Sequence, residues 1–285
     1  MIRSKNPTYE GAPPVFTAAP LFHAAMKEYL AILRNAPRPL DLSLFPPPPG
    51  LRLWIVAPHP DDFDAIGLTL HFFFRNGAEL FLDVLSGSSS GVEDGFAADC
   101  RTGTKERIRE KEQEDSVTFF GLPLDRLQFL RFPEDEQGDL QEGSTQSAAL
   151  EQRLHTLRPH LLFLPHGNDT NAGHRRTWRM ISRLKAGQQD PFLILLIRDP
   201  KTIRGRTDAF FPFGEKEAEW KGQLLRCHRS QQSRNLRQRG HGFDERILRL
   251  NRSLALELGV PAVHIESFEL PAGSAFHESS ETMPR

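Results

Sequence analysis

Leu51-Arg52-Leu53-Trp54-Ile55-Val56-Ala57-Pro58-His59-Pro60-Asp61-Asp62 is the stretch on which the fold turns. Its first half is nearly continuous apolar sequence and reads as a buried strand. The strand stops at two prolines, and the loop that follows presents one imidazole beside two adjacent carboxylates. Groups of that kind bind a divalent metal and leave one base spare, which points to metal-assisted hydrolysis.

Outward from this strand, strand-like and helix-like segments alternate. Strands are expected over 51–57, 79–85, 127–132, 160–165, 192–198 and 262–268, and helices over 65–76, 105–121, 146–157, 174–185, 215–226 and 243–259. The second helix is marked by Thr104 as N-cap and Gly121 after its last turn. Such alternation predicts an α/β fold, a mostly parallel sheet with helices on both faces. Residues 1–50 read as an N-terminal extension, with a helix near 21–33 and a Pro-rich link ending in Pro46-Pro47-Pro48-Pro49-Gly50. Residues 51–270 read as the main domain and 271–285 as a frayed tail. The stretch Ser86–Gly91 reads as a flexible loop, and Phe72-Phe73-Phe74 as core.

Composition narrows the function. The 36 Lys and Arg against 37 Asp and Glu leave no global field that would favour nucleic acid or a membrane surface. The longest apolar run, Phe192–Ile197, is too short to span a bilayer, and the first residues lack the apolar core of a secretory signal. Only Cys100 and Cys227 are present, which implies no disulfide framework, excludes a thiolate zinc cage and suits a reducing cytoplasm.

In an open α/β sheet, the loops at the carboxyl ends of the strands meet at the topological switch point. Two such loops here are rich in ligands: His59-Pro60-Asp61-Asp62, and the run from Pro165 to His174. Together they offer His59, Asp62 and His174 as three protein ligands and leave a fourth position for water. Adjacent residues do not easily share one ion, so Asp61 is left as general base. Asp169 either orients His174 or forms an Asx-turn, and His166 reads as pocket wall. Eight arginines, Arg226, Arg229, Arg234, Arg237, Arg239, Arg246, Arg249 and Arg252, crowd one stretch with almost no aromatic interleaving. They suit solvated helix faces, a subunit contact, or recognition of a phosphorylated or acidic ligand better than nucleic acid.

These loops resemble the LmbE-like family of N-acetylglucosaminyl-phosphatidylinositol de-N-acetylases and related zinc-dependent sugar deacetylases. The similarity runs from about Leu51 to Leu270 and includes Arg109-x-x-Glu112, the Asn168–His174 loop, His228-Arg229-Ser230-Gln231 and Glu266-Ser267-Phe268. It implies a Rossmann-like three-layer sandwich, with zinc on His59, Asp62 and His174 and Asp61 as base. It also implies Arg109 on the substrate; His228, beside Ser230 and Gln231, is taken as a second substrate-side candidate. The expected reaction removes an N-acetyl group from a small amino sugar or glycoconjugate. Fe, Mn or Ni are alternative ions, and a homo-oligomer is left open.

Two departures stand out. Phe63, followed by Asp64, replaces the Glu that usually follows the Asp pair. Asn171 occupies the place of a His that acts as acid or oxyanion stabiliser, and an amide can donate a hydrogen bond but not a proton. His264 is preferred as the substitute, with a buried strand histidine as its alternative reading; His228 and a doubly used Asp61 are the others. Two rival functions remain: a nucleotide- or S-adenosylmethionine-binding Rossmann enzyme, for which the first loop lacks the glycines, and a non-catalytic carbohydrate-binding protein.

Overall fold

Strand β2 (Arg52–Ala57) is buried along all but its first residue, as its apolar sequence requires. The computed structural model describes residues 19–97, 99–186 and 192–271. Among them β2 lies inside one eight-stranded sheet with β1 (Leu40–Asp41), β3 (Glu79–Val84), β4 (Leu127–Phe129), β5 (Leu161–Pro165), β6 (Leu193–Ile197), β7 (Ala209–Phe213) and β8 (His264–Glu269). The spatial order is β1-β7-β8-β6-β5-β2-β3-β4. From β6 to β4 every pairing is parallel, and only β8 runs against its neighbours.

Chain order climbs from β2 through β3 to β4 on one side and from β5 to β6 on the other. The switch point therefore falls between β2 and β5, which pair at Leu53↔Leu161, Trp54↔Leu162 and Ile55↔Phe163. The two ligand-rich loops leave the carboxyl ends of these adjacent strands.

Helices cover both faces, because alternate residues of each strand point to opposite sides. Leu53, Ile55, Leu161 and Phe163 share one core with residues of α1 (Ala19–Asn35), α2 (Gly67–Arg75), α3 (Thr102–Phe120) and α6 (Glu215–Arg226). Trp54, Val56, Leu162 and Leu164 share the other with α4 (Ser144–Leu157) and α5 (Ala172–Ala186). The expected α/β architecture is borne out. A further pair, α7 (Arg229–Arg239) and α8 (Phe243–Leu258), closes the carboxyl side of the sheet.

Several local readings change. Residues 40–41 pair with β7, and Met26, Tyr29 and Leu33 of α1 enter the main core, so this part of the expected extension packs onto the sheet. Helix α3 starts at Thr102 with Arg101 as N-cap in place of Thr104, while Gly121 closes it at φ 90°, a conformation that favours glycine. The Ser86–Gly91 loop is held firmly: Ser86, Ser88 and Gly91 are buried, and the Ser88 N–H donates to Glu134. Strands β1 and β7 and helix α7 were not expected. No helix among the described residues is long and apolar enough to cross a membrane. The readings of the first residues and of the tail beyond Pro271 lie outside the described residues.

Candidate metal centre

The β2 loop descends through overlapping turns, Asp62 N–H to His59 O, Asp64 N–H to Asp61 O and Ile66 N–H to Phe63 O. These turns fold the Asp62 carboxylate back on the loop, where Oδ2 accepts from the His59 N–H at 2.9 Å and lies 3.2 Å from His59 Nδ1. Its other oxygen, Oδ1, lies 3.3 Å from His174 Nε2. His59 and His174 come from different loops, yet their ring centroids are 5.1 Å apart. Gly173 permits this approach, since a Cβ there would stand 3.0 Å from His59 Nε2.

One potential ligand atom from each of His59, Asp62 and His174 falls within 4.8 Å of the others. The His174 Nε2 is buried and makes no well-aligned hydrogen bond despite the nearby Asp62 oxygen. A buried nitrogen without a hydrogen bond, aimed at a carboxylate and a second imidazole, is the donor arrangement a divalent cation satisfies. Nδ1 of the same ring lies 3.0 Å from Asp169 Oδ2, which orients the imidazole. Burial by itself would lower the His174 pKa, but the Asp62 and Asp199 carboxylates and the hydrogen bond with Asp169 push it up to about 10. Burial likewise opposes ionisation of Asp62, yet His174 and His59 hold it well below the usual carboxylate range.

Asp61 stands apart from its neighbour. Its backbone adopts φ 121°, its N–H donates to Gln113 Oε1 at 3.0 Å, and its Oδ2 accepts from Arg109 Nη2 at 3.0 Å. Arg109 is 1 % exposed and also donates to Pro60 O. It thus serves the β2 loop, whereas Glu112 one turn on accepts from the Ser230 N–H and hydroxyl. Asn171 caps α5, with Oδ1 accepting from the His174 N–H at 3.1 Å.

His59, Asp61, Asp62, Arg109 and Asn171 all line one cleft that encloses about 230 Å³. Of the other three expected residues, His174 is buried beside Asp62, and two sit elsewhere. His264 is stacked on Phe213 at 5.1 Å, at the very start of β8, and does not line the cleft. Its place against Phe213, away from the cleft, is a correction to the preferred catalytic reading and matches the alternative of a buried strand histidine; burial lowers its pKa. His228 is fully buried behind the loop, with Nε2 2.7 Å from Asp64 Oδ2. It cannot touch a substrate in this arrangement, because the Asp64 carboxylate occupies it. Phe63 and Asp64 explain the departure from the family's Glu: Phe63 enters the core against Phe120, and Asp64 turns inward to Gln113, Ser116 and His228. His166 pairs with Glu269 and does not line the cleft.

Asp199 belongs to neither of the two ligand-rich loops. It follows β6, lines the cleft and approaches His174 Nδ1 to 3.6 Å. Burial and the neighbouring Asp169 and Asp62 carboxylates raise its pKa. Its one sequence signal was position, two residues beyond the end of the strand next to β5.

Residues 54–185 match the family model PIG-L, GlcNAc-PI de-N-acetylase, so the resemblance read from the sequence is borne out over that stretch. No curated protein matches the chain by sequence. Among solved structures, the N,N'-diacetylchitobiose deacetylase from Pyrococcus horikoshii is similar, at TM-score 0.68 and 18% identity, covering 90% of this chain and 95% of that one. The 4-carboxy-2-hydroxymuconate hydratase from Pseudomonas putida is similar at TM-score 0.61 and 13% identity, covering 82% and 99%. A deacetylase of teicoplanin biosynthesis is similar at TM-score 0.58 and 14% identity, covering 78% and 100%. Because a hydratase stands beside two deacetylases, the shared fold does not choose the reaction; the residues of the cleft must.

Proposed function

We propose that this chain, whose residues 54–185 carry the PIG-L family pattern, is a metal-dependent hydrolase that removes an N-acetyl group from an amino sugar or its conjugate. The observation that carries the reading is the meeting of His59, Asp62 and His174 at one point, with Asp61 beside them and tied to a different partner. His59, Asp62 and His174 would hold the ion, and zinc suits an imidazole and carboxylate donor set. When bound, a divalent cation there supplies Lewis-acid polarisation of the acetamide carbonyl and makes water acidic near neutral pH.

The remaining work falls to side chains. Asp61 takes the proton of the attacking water and returns one to the leaving amine. Arg109 holds the Asp61 carboxylate in place. Asn171 has committed Oδ1 to the helix cap, which leaves its amide N–H groups to donate to the oxyanion of the tetrahedral intermediate. Acetate and a free amine are the products.

Elemental analysis paired with acetate release from N-acetylglucosamine and N,N'-diacetylchitobiose tests this reading. One metal per chain and chelator-sensitive acetate release are expected. Metal-loaded protein that frees no acetate from any N-acetylated sugar would overturn it.

A further inference from the structure

Helix α7 brings two amide side chains, Gln231 and Asn235, to the wall of the cleft, one helical turn apart. Both are buried, at 7 % and 5 % exposed. Chemistry fixes the orientation of the Gln231 amide. Its Nε2 donates to the Gly91 carbonyl at 2.9 Å, and a carbonyl oxygen can only accept. The same nitrogen lies 3.4 Å from Ser230 Oγ, whose own proton goes to Glu112 Oε2, so this contact too needs an N–H. The amide thus spends its donors on the protein and keeps Oε1 as an acceptor. Asn235 Nδ2 is likewise committed, to the Gln231 main-chain carbonyl at 2.9 Å. Among the described residues no donor meets Gln231 Oε1, and Asn235 Oδ1 is buried without a partner.

Unpaired acceptors on the wall of a cleft call for a ligand that brings donors. A Cβ on Gly91 would stand 2.9 Å from Arg109 Nη1 and 3.2 Å from Gln231 Nε2, so Gln231 lies beside the arginine that holds Asp61. An ammonium group is disfavoured next to Arg109 and to Arg234, which lines the same cleft. A hydroxyl supplies the donor without the charge. Because the acceptor stands beside the Asp61–Arg109 pair, the hydroxyl it meets is one next to the acetamide. On a glucosamine joined through its anomeric carbon, that is the 3-hydroxyl.

We propose that Gln231 is a specificity residue whose Oε1 accepts the 3-hydroxyl proton of the acetylated amino sugar, with Gly91 and Ser230 holding the amide in place. This rests on the deacetylase reading and adds to it a contact by which the chain recognises the sugar ring.

The test measures acetate release by the metal-loaded full chain from methyl N-acetylglucosaminide and its 3-deoxy, 4-deoxy and 6-deoxy forms. Loss of the 3-hydroxyl should lower kcat/KM of the wild type about tenfold, because it leaves a buried acceptor unpaired. Gln231→Met should lower the value for the parent glycoside by a similar factor and make the 3-deoxy form no worse than the parent. Gln231→Glu keeps an oxygen at that place and should still prefer the parent, at unchanged metal content. The 4-deoxy and 6-deoxy forms should keep the same ratio to the parent in the wild type and in Gln231→Met. Equal wild-type rates on the 3-deoxy form and the parent, or losses from the deoxy change and Gln231→Met that multiply, overturn the proposal while the deacetylase reading stands. If no glycoside releases acetate, that reading falls and calorimetry decides the contact. Tighter binding of the parent than of the 3-deoxy form by the wild type, and equal binding by Gln231→Met, supports it. Equal or absent binding of the two by the wild type overturns it.

Discussion

Arg109 donates a hydrogen bond to Asp61 Oδ2 at 3.0 Å while Asp61 holds φ at 121°, a backbone angle that side-chain-bearing residues avoid. Such a conformation costs about 1–3 kcal/mol and persists only where its surroundings enforce it. Here α3 does the enforcing: Gln113 accepts the Asp61 N–H, and Arg109 binds both the carboxylate and the Pro60 carbonyl. The strain separates two adjacent carboxylates, one facing His59 and His174, the other facing Arg109.

Asp61→Asn keeps the shape and the hydrogen bond to Arg109 but cannot accept a proton. The variant should bind metal normally and lose about 100-fold or more in kcat. Full turnover at normal metal content would remove Asp61 as the base.

Arg109→Met leaves the Asp61 carboxylate and the Pro60 carbonyl without their buried donor. A stability loss of about 3 kcal/mol is expected, the low end for a broken buried pair because Asp61 faces the cleft. Arg109→Lys should recover part of that stability, yet kcat should stay depressed because one ammonium cannot serve both acceptors in the same geometry. Thermal melting with steady-state kinetics on both variants checks this, and wild-type kcat in Arg109→Lys would contradict it.

With burial working against it, the His174 pKa is nonetheless raised by Asp62, Asp199 and Asp169 to about 10, above the ~6.5 of an unfolded chain. Protonated His174 thus stabilises the metal-free fold in full below pH ~6.5, and that stabilisation is lost as pH rises through about 10. A cation competes for the same nitrogen, so metal uptake at neutral pH should release a proton and tighten as pH rises. Calorimetry in two buffers of different ionisation enthalpy measures the release. Uptake without proton release would place the ion elsewhere.

Lys221 and Glu266 form a fully buried pair at 2.6 Å, with Lys221 also donating to Ala65 O and Asn251 Oδ1. Glu266 in turn accepts from the Leu68 and Thr69 N–H groups at the start of α2. Lys221→Met should cost about 3–5 kcal/mol, since it strands a buried carboxylate. A shift below about 1 kcal/mol in denaturant unfolding would show that the pair is dispensable.

Asn171→Ala removes the cap of α5 and should cost about 1 kcal/mol. Because the capped N–H belongs to His174, weaker metal binding is expected as well. Asn171→Asp, which can still cap, should restore the stability but not the donation to an oxyanion. Equal activity in Asn171→Asp and the wild type would exclude the amide from catalysis.

Much of the candidate metal centre was legible because its first half is local. His59 and Asp62 sit three residues apart on one turn, and His174 opens the helix after the neighbouring parallel strand. The cleft's outer wall was not. Helix α7 carries one apolar side chain, Leu236, which is itself exposed, so no hydrophobic period marks it. Strand β7 contains Pro212, a residue that argues against a strand. His264 and His228 look alike in sequence as candidate acids, and only packing shows one against Phe213 and the other against Asp64.

By itself the sequence determined the alternation of strands and helices and the chemistry of the two loops, because periodicity and turn residues act over a few positions. Tertiary structure alone decided which polar groups share the cleft. It brought Asp199 to His174, tied Arg109 to Asp61, and gave five arginines of the 226–252 stretch a carboxylate each. Charge pairing depends on distances between residues far apart in the chain, and those distances exist only once the sheet and helices have packed.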